Sequence, residues 1–228
     1  KKHVVTANKA LIAKYGDQLS KIAENNKVNL EFEASVCGGV PIIRSLKEGL
    51  IANKIKKVYG IFNGTSNYIL SSMDKQKKNF KDVLINAQKL GYAERNPTAD
   101  LNGDDVSSKL KILSSLCFNS FLNSNIHVEG IKEIDKEDID YANSLGYKIK
   151  LLGFSEQIKN NIYQRVHPTL IKNNSHYIFY YLFFILRKLH FSIISGIKLF
   201  FFIRPSISIF FIFYYLFFLQ VFLHLLIV

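Results

Sequence analysis

Apolar positions recur at helical spacing through residues 10–25, where Leu11, Ile12, Tyr15, Leu19, Ile22 and Ala23 share one face. Residues 28–36 alternate instead, as a half-buried strand does, and residues 2–6 form a shorter strand-like run ahead of an Ala7-Asn8 turn. A helix is expected over residues 41–53, with Pro41 in its first turn, followed by a strand over 55–62. Asn63-Gly64-Thr65-Ser66 reads as a turn into a further helix. Residues 80–90 are amphipathic and stop at Gly91, a C-terminal cap signal. Helices over 104–116 and 135–145 and paired strands over 147–154 and 161–171 complete the pattern. The mixture predicts an α/β (α+β) fold, with a mixed sheet covered by helices.

The pattern breaks near Tyr177. All 18 acidic residues lie at or before Glu156, and residues 178–228 carry only Arg187, Lys188, Lys198 and Arg204 as formal charges. The net charge of +12 divides into +8 for residues 1–177 and +4 for the remainder. The last 23 residues, 206–228, have no formal charge and are long enough to span a bilayer as a helix. Three readings compete for this apolar tail: a membrane hairpin, an unusual core, or out-of-frame translation of AT-rich coding sequence. Its abrupt aromatic-aliphatic monotony favours the last.

Elsewhere the lysines are scattered, as at Lys54, Lys56 and Lys57, with no nucleic-acid motif beside them. They read as a solvated surface, and no nucleic-acid partner is expected. Cys37 and Cys117 lack metal-ligand spacing and make no disulfide framework.

Chemistry concentrates in residues 91–109, an acid-rich loop leading into a helix. Asp105 and Lys109 are four apart and share a helical face, and Asp104 and Asp105 suit a helix N-terminus. By themselves these residues describe a capping loop and a surface ion pair. They also describe a lysine placed to donate a proton, with Glu94 and Asp105 placed to hold an ammonium group. Such a set suits a small amino acid bearing a carbonyl or hydroxyl.

Three segments taken together resemble a known family. Glu33-Ala34-Ser35-Val36-Cys37-Gly38-Gly39-Val40-Pro41, then Asn63-Gly64-Thr65-Ser66-Asn67-Tyr68, then the 91–109 loop are similar to the catalytic domain of homoserine dehydrogenases. Val4-Val5-Thr6-Ala7-Asn8-Lys9 resembles that family's crossover out of its nucleotide domain, and Val166-His167-Pro168-Thr169 a late strand. The resemblance covers about residues 2–175.

It implies NAD(P)-dependent interconversion of L-homoserine and L-aspartate 4-semialdehyde, within amino-acid biosynthesis. Residues 1–26 would be the remnant of a Rossmann domain, 27–177 the catalytic and dimerisation domain, and 178–228 an apolar tail, either frameshifted or membrane-inserting. Lys109 would support proton transfer at the substrate oxygen, with Lys9 as a second active-site lysine. Glu94, Asp105 and Asp100 would bind and orient the substrate. Glu33 with the carbonyls of Val36, Gly38 and Val40 would hold a monovalent cation such as sodium, since oxygen ligands suit a hard ion. A cytoplasmic homodimer is implied, with membrane association only through a genuine tail. Asn96 departs from the acid the family commonly places before the loop proline. No Gly-x-Gly-x-x-Gly occurs in the 228 residues, so most of the pyrophosphate cradle for NADP or NAD is missing. The chain itself is therefore expected to be inactive. The alternative is a membrane-anchored, non-catalytic binding protein derived from the same domain.

Overall fold

The computed structural model describes residues 1–120 and 126–173. The boundary expected near Tyr177 and the 178–228 tail lie outside these described residues. Among them, no helix is long and apolar enough to cross a membrane.

The elements run β1 (Val4–Val5), α1 (Lys9–Asn25), β2 (Leu30–Glu31), α2 (Ile42–Arg44), β3 (Lys57–Gly60), α3 (Gly64–Gln76), α4 (Phe80–Lys89), α5 (Thr98–Asn102), α6 (Asp104–Phe118), β4 (His127–Val128), α7 (Lys136–Ser144), β5 (Tyr147–Ile158) and β6 (Asn161–Lys172). Residues Lys1–Asn173 form one compact unit. β1 and β2 pair in parallel across α1, a small βαβ unit. The main sheet has the order β3-β5-β6-β4. β3 and β6 flank β5 antiparallel, and β4 joins β6 in parallel.

Local chemistry sets the helix starts. The Asn8 side chain accepts from Leu11 N at 3.0 Å and starts α1 at Lys9. Asp135 and Asp138 form a reciprocal capping box at α7. The core gathers Ile69, Leu70, Met73, Val83, Val106 and Leu110 from the helices against Leu151 and Val166 of the sheet. Burying side chains of this kind contributes about 1.5–3 kcal/mol each before entropy is counted.

Two sequence expectations need correction. The strand expected over 28–36 is only Leu30–Glu31, because β1 offers just two partners. The chain then closes into a 3-10 turn, Glu33–Ser35, stabilised by Ser35 Oγ donating to Phe32 O. The helix expected over 41–53 is a short α-turn followed by a wider turn, Ser45–Gly49, where Leu50 N bonds Ser45 O at 2.9 Å. Ser45 Oγ also donates to the Pro41 carbonyl, which the Ser45 N–H shares at 3.1 Å. Two elements were not expected from the sequence, α5 inside the acid-rich loop and the short strand β4. The remaining helices and the β5–β6 hairpin match the sequence pattern within a few residues.

Candidate active site

The site grows from three chain junctions. β3 ends at Gly60, and Phe62-Asn63 carry the chain into α3. α5 ends at Gly103, whose φ of +88° turns the chain directly into α6. A Cβ there would meet Val128 Cγ1 at 3.0 Å, so the left-handed turn is also a close approach. The third junction is Asn8, which delivers Lys9 at the start of α1.

These junctions converge on Asp105, only 7% exposed. Its Oδ2 accepts from Lys109 Nζ at 2.6 Å and from Asn63 Nδ2 at 2.9 Å. Its Oδ1 lies 3.0 Å from Lys9 Nζ. Burial pushes the Asp105 carboxyl up, but Lys109, Asn63 and Lys9 together outweigh it and hold it below the ordinary aspartate range. Asp105 is thus a charged carboxylate shared by two ammonium groups.

Lys109 is held from a second side, donating to the Phe62 carbonyl at 2.7 Å. Two of its three N–H directions are used, which leaves one for a ligand oxygen. Asp100 joins the cluster through Asn63 Nδ2, at 2.6 Å from its Oδ1, and its carbonyl accepts from Ser66 Oγ. Thr65 Oγ1 donates to Tyr92 O, and Tyr68 stacks on Tyr92 at 4.2 Å, fastening the loop to α3.

Of the sequence-derived site residues, Lys9, Asp100, Asp105 and Lys109 come together. Glu94 lies exposed on the loop, and among the described residues no hydrogen bond or ion pair joins its carboxylate to the cluster. Asn96 accepts from Thr98 N and Oγ1 in a local turn.

Glu33 does something the sequence pattern did not reveal. Its Oε1 accepts from Ile43 N at 3.0 Å and its Oε2 from Arg44 N at 2.8 Å. It caps α2 and draws the 36–40 loop against that helix. In the loop, Cys37 and Gly39 take left-handed conformations, and the Val40 carbonyl accepts from Ile42 N. Cys37 lies close enough to feel both Lys109 and Asp105, while burial pushes its thiol up. No group of three or more His, Cys, Asp or Glu among the described residues could hold a metal. Any cation here would rest on carbonyls and one carboxylate.

Sequence reasoning missed Asn63 and Phe62. Asn63-Gly64 looked like an ordinary turn, and its bonds reach 37 and 42 residues along the chain. The one local signal was an Asn at a helix start.

Fold and site together define an α/β domain with a buried carboxylate shared by two lysines beside an acid-rich loop. The family model for homoserine dehydrogenase matches residues 41–180. A Neisseria gonorrhoeae homoserine dehydrogenase is 52% identical over 171 residues, covering 75% of this chain and 39% of the relative. The Bacillus subtilis enzyme is 45% identical over 175 residues, 76% of this chain and 40% of its own length. Among solved structures, a Thiobacillus denitrificans homoserine dehydrogenase superposes with a TM-score of 0.74 at 50% identity, covering 76% of this chain and 41% of that one. A hyperthermophilic archaeal homoserine dehydrogenase in complex with NADPH superposes at 0.62 with 28% identity, covering 76% and 49%. The chain belongs to the homoserine dehydrogenase family. It spans about two-fifths of the length of the curated relatives it matches.

Proposed function

We propose that this chain is the substrate-binding and catalytic portion of a homoserine dehydrogenase acting on L-homoserine and L-aspartate 4-semialdehyde. Residues 1–26 then close the nucleotide-binding part, and residues 27–177 form the catalytic domain. The observation that carries the reading is the buried Asp105 carboxylate shared by Lys109 and Lys9.

Each residue has a chemical part. Lys109, oriented by Asp105 and Phe62 O, offers its remaining N–H to the substrate oxygen and supplies the proton as that oxygen becomes a hydroxyl. Lys9, 39% exposed, has further N–H donors beyond its bond to Asp105 and stands at the open side of the centre. Asp100 and Glu94 supply negative charge for the substrate ammonium group. Asp105 keeps both lysines aimed.

The family reaction needs a nicotinamide hydride. The residues present do not fit the pyrophosphate of that cofactor. At the α1 N-terminus the Asn8 side chain takes up the Leu11 N–H, and no Gly-x-Gly-x-x-Gly loop occurs in the sequence. Among the described residues, the site supplies groups for the substrate and none that cradle a pyrophosphate. For the monovalent cation, the donor set does fit: Glu33 and the carbonyls of Val36, Gly38 and Val40 are all oxygen. Each Glu33 oxygen keeps a lone pair after bonding α2. Such an ion would fix the 36–40 loop beside Asp105.

A homodimer is part of the same reading. Tyr59, Phe154 and Arg165 are register partners on one sheet face. The face is opposite to the one that carries Val58, Leu151 and Val166 into the core. Arg165 and Lys57 flank the Phe154 ring at 5.0 and 5.4 Å, and Lys57 also pairs with Glu156 at 3.0 Å on that face.

The test is direct. The purified chain is expected to bind L-homoserine, shifting the NMR signals of Lys109 and Asp105, and to oxidise no NADPH with aspartate 4-semialdehyde. Binding without any perturbation at those two residues would refute the site. Turnover would refute the separation of the two halves.

A further inference from the structure

We propose that Asn63 is a positioning residue of this centre, whose side-chain amide fixes the Asp105 carboxylate between the two lysines and ties it to Asp100. Its meaning for catalysis rests on the reading above, but the geometry stands alone. Asn63 is 5% exposed, and its polar atoms are fully engaged. Oδ1 accepts from Ser66 N at 2.7 Å and starts α3. One Nδ2 hydrogen goes to Asp100 Oδ1 and the other to Asp105 Oδ2. The amide cannot be turned over. Reversal would set an oxygen against two carboxylates and an NH2 against an N–H donor.

A helix cap alone does not call for asparagine. Serine or aspartate caps about as well. Only asparagine, at this length, also presents two donors on the far side of the cap. Two carboxylates that reach the same nitrogen repel each other, and the NH2 group between them offsets that repulsion. Without it, Asp105 Oδ2 keeps only Lys109, and the carboxylate is free to rotate away from Lys9. The preceding residue works toward the same end, since the Phe62 carbonyl holds Lys109. The short exit from β3 thereby orients both the lysine and its partner acid.

The test separates the clamp from the cap. In the full 228-residue chain, Asn63→Ser and Asn63→Asp both retain a capping side chain and both lack the two amide donors. The Asp105 side-chain carboxyl carbon is followed by NMR through an acid titration, and its shift is recorded at pH 7 as well. With melting temperatures close to wild type, the Asp105 midpoint is expected to move up in Asn63→Ser. It should move further up in Asn63→Asp, where a third carboxylate joins the cluster. The pH 7 carboxyl shift should change in both variants, a readout that survives if acid unfolds the chain first. An Asp105 signal unchanged from wild type in Asn63→Ser, by either measure, would overturn the proposal. Because Asp105 is read without ligand, failure of the wild-type chain to bind L-homoserine would count against the dehydrogenase reading alone.

Discussion

Asp105 is the residue on which the most depends. Both lysines lean on it, and removing its charge leaves two ammonium groups facing each other. Asp105→Asn is expected to destabilise the chain by about 3 kcal/mol, as loss of one partner from a largely buried ion pair does. Urea denaturation at pH 7 measures it. The folded carboxyl titrates below the unfolded value of 3.8, so its contribution is present above that value. It is lost as pH falls through the folded midpoint, and the acid limb should be shallower in Asp105→Asn.

Lys150 has the opposite sign. It is 7% exposed and donates to Asn67 Oδ1 and Ser71 Oγ. Burial pushes its ammonium down to about 8 from 10.5, with Asp74 opposing that fall. The unfolded chain binds this proton more tightly, so stability should rise as pH rises from about 8 to 10.5. The gain is about 3 kcal/mol over that window. Lys150→Met should flatten the rise. A rise of equal size in Lys150→Met would show that other groups cause it.

At the scale of elements, the strand–turn–helix unit from β3 into α3 matters most. The Phe62 ring presses on Gly153 of β5, where a Cβ would meet it at 2.9 Å. Gly153→Ala is expected to cost about 1–3 kcal/mol by overpacking and to disturb the Phe62 carbonyl that holds Lys109. A thermal melt together with the Lys109 NMR signal would register both effects. A melt equal to wild type would mean that the ring moves freely.

Legibility also divides at this scale. The helices with long apolar periods, α1, α4, α6 and α7, were readable because burial of one face dictates their pattern. The β5–β6 hairpin was readable for the same reason at period two. What failed was short and locally bonded. Val28 to Val36 alternated like a strand, yet Glu33 and Ser35 spent their side chains on backbone partners and folded it into a turn. α5 was hidden because five residues in an acid-rich loop carry no period. Lys109 and Asp105 were legible as an i, i+4 pair, and Lys9 and Asp100 only through the family resemblance. Asn63 was legible as a helix start inside a family-like motif but not as a partner of Asp100 and Asp105, since those bonds are set by tertiary folding.

At the scale of the whole molecule, the described residues place the proposed substrate site on a helix-covered sheet, and no pyrophosphate cradle is found among them. The remaining sheet face is the expected dimer surface. Tyr59→Glu, which places a charge on that face, should shift the species seen by light scattering from dimer toward monomer. A wild-type monomer would remove the dimer reading.

The central proposal is that the Lys109–Asp105–Lys9 centre serves homoserine dehydrogenase chemistry. An exchange tests it most directly. Residues 1–173 replace the matching segment of the Neisseria gonorrhoeae relative, and NADPH oxidation with aspartate 4-semialdehyde is measured. The exchanged protein should turn over, and Lys109→Ala within it should lose about a hundredfold or more in kcat. A well-folded exchanged protein without activity, or one that keeps full activity as Lys109→Ala, would contradict the account.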